Sequence, residues 1–190
     1  MRGLGRTTRL MLIVAAALAV TAAPVLAANN VRGSLSGFED ALPASTCTTN
    51  TAGTPCQTAY FAGYFSAKDS SDSGFWSATV EHEGLPTQPS SSTDIVGGSF
   101  ALYMVSGTVV SGSGMTGSIS YDGKPTMSLF GCTQTYKVDA SLTLSNDALG
   151  LAIGTADAYL THYGTGESGG SCTGVYFATI SGFLTLTNEY

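Results

Sequence analysis

The sequence predicts an all-β fold, an antiparallel meander of about seven or eight strands that closes or nearly closes into a barrel; a two-sheet β-sandwich is the alternative. From residue 59 onward, apolar and polar residues alternate with the two-residue period of half-buried strands. Gly, Ser and Thr are abundant, and turn-forming Gly, Pro, Asn and Asp recur between the alternating stretches. Apolar residues at helical spacing are almost absent, which argues against helical layers.

The first 27 residues have the pattern of a secretory signal peptide. Arg2, Arg6 and Arg9 precede an apolar run from Leu10 to Val20, and a small-residue cleavage site ends at Ala27. The run is shorter than the roughly 20 apolar residues of a membrane-spanning helix. We therefore expect a secreted, extracellular protein without a membrane anchor in the mature chain.

The rest of the chain is acidic. The full sequence has 7 Lys and Arg residues against 13 Asp and Glu residues, a net charge of −6. Three of the basic residues and none of the acidic ones lie in the predicted signal peptide, so residues 28–190 are more negative still. The remaining basic residues are too few and too scattered to form a basic patch, which excludes nucleic acid and anionic membranes as expected partners.

Four cysteines follow the predicted signal peptide, an even number that predicts two disulfides in an exported chain. Their spacing favours Cys47–Cys56, which closes a short polar loop, and Cys132–Cys172, which closes a long one. No Cys-x-x-Cys pair is present, so the cysteines do not resemble a zinc site.

Residues 28–58 are expected to form an irregular segment with the small disulfide loop and one strand at Val31–Phe38, and residues 59–190 to form the barrel; the two together are expected to make one domain. Asp122 to Pro125 (DGKP) is predicted as a turn, and Gly107–Tyr121 is read as either one strand or two. The other predicted strands are Ala59–Ala67, Gly74–His82, Asp94–Val105, Thr126–Ser145, Leu149–Tyr163 and Cys172–Thr187.

Two segments share the pattern Cys-Thr-x-x-Tyr followed by alternating apolar residues: CTQTYKVDAS from Cys132 and CTGVYFATIS from Cys172. They predict two strands in equivalent settings, with Tyr136 and Tyr176 facing inward. A meander separates these strands by about 9.6 Å, beyond the roughly 7 Å between Cα atoms that a disulfide spans. The bridge is therefore expected at the strand ends, where the loop Gly164–Ser171 folds inward over one end of the barrel.

The chain has two histidines, and each ends an inward-facing apolar row. A plain meander runs the two strands in the same direction, which places His82 and His162 at the same end, beside the loop closed by the second disulfide. Two imidazoles with carboxylates such as Glu81 and Glu167 could bind a divalent metal, and one imidazole could act as a general base. In the third interpretation each histidine only caps the core by a hydrogen bond to a loop carbonyl.

No motif assigns a reaction. The peptide GESGG matches the G-x-S-x-G hydrolase pattern, but a strand pattern follows it and no histidine follows Ser168. We expect no cofactor and a non-enzymatic role: binding of a small apolar or sugar-like ligand, or action as an extracellular surface or interaction protein. The alternative is a small metal- or histidine-dependent enzyme with its site at the end that carries the histidines. The expected ligand-binding residues are His82, His162, Trp76, Tyr136 and Tyr176.

Overall fold

The computed structural model describes residues 30–47, 56–68, 72–145 and 153–187. The predicted signal peptide lies outside this range, as does most of the loop between Cys47 and Cys56. The described residues form strands, turns and loops but no helix, so the predicted all-β class is confirmed. None of them belongs to a helix with the length and hydrophobicity needed to cross a membrane.

Eight strands of the described chain form a closed antiparallel barrel in the order β1-β10-β7-β6-β5-β4-β3-β2, and β8 with β9 forms a separate hairpin. The predicted barrel is therefore confirmed, and the alternative, a two-sheet β-sandwich, is not the fold that forms. The strands are β1 (Asn30–Thr46), β2 (Gln57–Ala67), β3 (Ser73–His82), β4 (Ser92–Met104), β5 (Val109–Ser128), β6 (Gly131–Leu144), β7 (Ile153–Gly164), β8 (Gly166–Ser168), β9 (Ser171–Thr173) and β10 (Phe177–Thr187).

Strand β1 closes the barrel. It pairs with β10, where Val31 lies opposite Leu186, and with β2, where Leu35 lies opposite Phe65. Closure removes the free strand edges that would otherwise expose unpaired backbone groups. The expectation of an irregular segment with a strand ending at Phe38 is therefore wrong: β1 continues beyond it because its backbone stays paired, with β10 as far as Glu39 and with β2 as far as Thr46.

Two predicted boundaries also differ from the structure. Strand β5 is continuous through DGKP, because a register irregularity between Asp122 and Thr126 absorbs these residues instead of a turn. The predicted strand Cys172–Thr187 is divided into β9 and β10, and Gly174 between them has a positive φ of 58°. Such a conformation favours glycine and interrupts a strand.

The barrel interior is packed with side chains, as expected for eight strands. Trp76 lies inside the barrel, and its indole N–H donates to the carbonyl oxygens of Ser36 and Tyr64, both at 3.2 Å. Its ring stacks on Phe100, with centroids 6.3 Å apart. A Cβ atom at position 37 would lie 2.9 Å from the indole, so Gly37 provides the space that this ring occupies. Trp76 is an anchor of the core.

Candidate functional site

The two histidines meet at one end of the barrel, which we call the histidine end. His82 is the last residue of β3 and His162 lies near the end of β7; successive antiparallel pairings run these strands in the same direction. Both residues are buried, with 5% and 8% of the whole-residue surface exposed, and both line one cavity of about 120 Å³. The prediction that they lie at the same end is confirmed.

The cavity combines an apolar wall with a few polar groups. Glu39 and Gln57 are the other two polar residues in the described part of its lining. The apolar residues of the wall come from the inner faces of six strands and from the β3–β4 loop: Ala59, Phe61, Val80, Leu85, Ile119, Val138, Leu160 and Ile180. A charged group in such surroundings is strongly disfavoured unless it has a partner.

Glu39 has that partner in His162. Its Oε2 atom lies 3.1 Å from Nε2 of His162, and the two side chains are 22% and 10% exposed. The register explains the contact: Glu39 lies opposite Ala178 on β10, and Ala178 lies opposite His162 on β7. All three residues face inward at one level, and the small alanine side chain leaves room for the carboxylate and the imidazole to meet above it.

His82 is held by the backbone. Its Nδ1 atom lies 2.9 Å from the carbonyl oxygen of Gly84 and 3.2 Å from the Gly84 nitrogen, and the same carbonyl accepts a hydrogen bond from the Thr93 hydroxyl. Burial lowers the pKa of His82, while the Gly84 backbone and the Glu39 charge oppose this effect in part. The shorter contact favours Nδ1–H as donor to the carbonyl, which leaves Nε2 unprotonated.

The β8–β9 hairpin packs against the ends of β5, β6 and β7 at the histidine end. The Cys132–Cys172 disulfide joins it to β6, with Cα atoms 5.6 Å apart. The buried Gln134 side chain donates to the Gly170 oxygen at 3.2 Å and accepts from the Cys172 N–H at 3.1 Å; the Tyr121 hydroxyl also donates to Gly170. Gly170 approaches the backbone of Thr87 so closely that a Cβ atom would collide with it.

Both predicted disulfides are confirmed. The Cα atoms of Cys47 and Cys56 are 5.5 Å apart, within the range that a disulfide spans. The second bridge lies at the strand ends and ties down the loop, as expected, although Cys172 belongs to β9 rather than to the last barrel strand.

The other three predicted ligand residues are not among the residues that line the cavity. Tyr136 is buried and packs its ring against His162, edge to face, with centroids 5.4 Å apart. Trp76 lies in the core with its N–H bonded to backbone. Tyr176 is 58% exposed and precedes β10, so its predicted inward position is wrong; the break at Gly174 removes it from the strand.

The carboxylates named from the sequence do not join the histidines. Glu167 accepts a hydrogen bond from the Gly170 N–H within the β8–β9 hairpin, and Glu81 is buried but does not line the cavity. Across the residues that the structure describes, no group of three or more His, Cys, Asp or Glu side chains is arranged to hold a metal ion. The carboxylate that lies with the histidines is Glu39, which the sequence interpretation missed because it ended the first strand at Phe38.

The arrangement can accept hydrogen bonds and exchange protons, since it holds a carboxylate in contact with one imidazole and a second imidazole in the same cavity. The chain matches no protein-family model, no curated protein and no solved structure. Its function is therefore inferred from the geometry of the site.

Proposed function

We propose that the protein is a secreted, disulfide-bridged barrel that binds a small molecule in the cavity at the histidine end. The observation that carries this proposal is the cavity itself, with its apolar wall, one carboxylate and two imidazoles. Ligand sites usually combine an apolar lining with a few placed polar groups. A partly buried carboxylate and two buried imidazoles also cost free energy that a purely apolar core avoids.

The cavity size limits the ligand. Its volume of about 120 Å³ is well below the roughly 300–1,000 Å³ of pockets for drug-sized molecules. At roughly 30 Å³ for each water molecule, it has room for about four waters. This supports a ligand of a few non-hydrogen atoms, or one end of a larger ligand, over a whole sugar ring.

The test is a fragment screen by NMR on the oxidised protein without residues 1–27, with the methyl signals of Ile119, Val138 and Ile180 as reporters of the cavity. We expect one or more fragments of four to six non-hydrogen atoms, on the order of the cavity volume, to shift these signals together. Ala59→Leu fills the cavity and should abolish the shifts. The matched control, Ala62→Leu, makes the same change at an exposed position of the same strand and should preserve them.

Fragment shifts that survive Ala59→Leu would place the binding elsewhere and refute the proposal. If no fragment binds, the role as an extracellular surface or interaction protein is the one that remains.

A second candidate, a histidine-dependent acid–base enzyme, is favoured by the contact between Glu39 and His162. A carboxylate at this distance accepts a hydrogen bond from the imidazole and fixes the orientation of its ring. Fragments that bind should be incubated with the protein and followed by NMR for chemical change. Conversion that is lost in His162→Gln would establish this activity, and fragments that remain unchanged would leave binding alone. The metal-dependent form has less support, since Glu81 and Glu167 lie apart from the cavity.

Secretion is part of the proposal, and two disulfides are consistent with an extracellular location. Expression of the full chain in a secreting bacterial host tests it. We expect protein in the exported fraction with a mass that corresponds to a chain beginning at Ala28. Uncleaved protein confined to the cytoplasm would contradict this part of the proposal.

A further inference from the structure

We propose that the cavity at the histidine end selects a small organic cation, a protonated primary amine on a short aliphatic chain, over neutral and anionic molecules of the same size. This inference rests on the proposed small-molecule binding and names the ligand class. Its basis is that the described lining of the cavity contains a carboxylate and no lysine or arginine.

The charges around the cavity favour a cation. Among the described residues that line it, Glu39 is the only acidic one, and no basic residue other than the two histidines accompanies it. Lys137 lies on the outer face of β6, where it pairs with Asp139 and Asp157. An ammonium group therefore meets a negative charge without a competing fixed positive one, and an anion meets repulsion that the apolar wall does not screen.

The hydrogen-bonding groups point to the same class. The contact between Glu39 and His162 requires a proton on Nε2 of the imidazole, because a carboxylate only accepts. With one proton on that ring, Nδ1 of His162 is an acceptor. The second oxygen of Glu39 has no hydrogen bond to any group in the described part of the chain. His82 bonds the backbone through Nδ1, which leaves Nε2 as a further acceptor.

A primary ammonium group supplies hydrogen-bond donors for the three acceptors: the second Glu39 oxygen, Nδ1 of His162 and Nε2 of His82. It carries three N–H donors in a compact group, and a hydrogen bond between ions is about twice as strong as one between neutral groups. The apolar wall suits a short alkyl chain. A volume of about 120 Å³, or about four waters, fits n-propylammonium, which has four non-hydrogen atoms.

The experiment compares three probes of nearly equal size, n-propylammonium chloride, 1-propanol and sodium propionate, by methyl NMR titration of the oxidised protein near pH 7.5. A charge-assisted hydrogen bond predicts that n-propylammonium binds at least about tenfold more tightly than 1-propanol, and that propionate binds most weakly. Glu39→Gln should bring n-propylammonium to within about threefold of 1-propanol. The control Asp40→Asn removes an exposed charge one residue away and should preserve the preference.

Equal or tighter binding of 1-propanol or propionate to the unaltered protein would overturn the inference and leave small-molecule binding intact. Binding of other fragments in the cavity without binding of n-propylammonium would also overturn the inference and leave small-molecule binding intact. If no probe or fragment binds, the inference and the proposed function both fail. The comparison among probes needs no variant, so it remains decisive if Glu39→Gln does not fold.

Discussion

Substitution of Gln134 by Ala tests whether side-chain hydrogen bonds hold the β8–β9 hairpin against the barrel. Gln134 is almost completely buried on β6, and its amide makes two bonds to the hairpin, one to the Gly170 oxygen and one from the Cys172 N–H. Alanine removes both bonds. The Gly170 oxygen keeps the Tyr121 hydroxyl as a donor, whereas the Cys172 N–H loses the acceptor that Gln134 provides.

The structure gives the size of the effect. Two hydrogen bonds contribute about 1 kcal/mol each to the free energy of unfolding, and a buried donor without a partner costs about 1–3 kcal/mol. Some of this penalty is relieved by water in the space that the side chain leaves. We expect a loss of about 3 kcal/mol, which lowers the melting temperature by about 9 °C for a domain of this size.

Thermal and urea unfolding of the oxidised protein, followed by circular dichroism, measures this loss. The matched control is Gln88→Ala, which makes the same change at an exposed loop position and should alter the free energy of unfolding by less than about 0.5 kcal/mol. If Gln134→Ala were no more destabilising than Gln88→Ala, the two side-chain bonds would not be what holds the hairpin against the barrel.

Three further predictions concern stability. Burial lowers the pKa of His82, so the unfolded chain binds the proton more readily and the free energy of unfolding should fall as the pH drops below about 6.5. In urea unfolding at a series of pH values, His82→Gln should reduce the fall in the free energy of unfolding between about pH 7 and pH 5. An unchanged dependence on pH would contradict this prediction. Loss of the second disulfide in Cys132→Ala/Cys172→Ala should reduce the free energy of unfolding by about 4 kcal/mol in urea titrations; a loss below about 1 kcal/mol would count against the bridge as a main stabiliser. Trp76→Phe removes an N–H that donates to two carbonyls and should cost about 1–2 kcal/mol by thermal unfolding, whereas an unaltered melting temperature would show that these bonds contribute nothing.

The barrel was predictable because strand alternation is a local signal that each segment carries by itself. The ends of its strands were harder to predict, because they depend on strand pairing, backbone conformation and a disulfide rather than on alternation. DGKP has the composition of a turn, yet pairing with β6 on both sides keeps β5 continuous through it. The segment from Cys172 alternates like a strand, but the positive φ at Gly174 and the disulfide direct its first residues into the hairpin.

The site was predictable in part. The alternation of side chains along each strand placed His82 and His162 on inward faces, and the meander placed them at the same end. The carboxylates were chosen for their closeness to the histidines in sequence, which selected Glu81 and Glu167. Glu39 reaches His162 through the pairing of β1 with β10 and of β10 with β7, a contact across 123 positions that no local pattern reveals.

The proposed function requires Glu39, His82 and His162 to form one polar site inside the barrel. NMR titration of the two imidazoles measures this, in the unaltered protein, in Glu39→Gln and in the control Asp40→Asn. The Glu39 charge opposes the lowering of the His82 pKa, so its removal should lower that pKa further and also shift the His162 ring signals, while Asp40→Asn should change neither. If Glu39→Gln left both imidazoles as they are in the unaltered protein, the three side chains would not share a site.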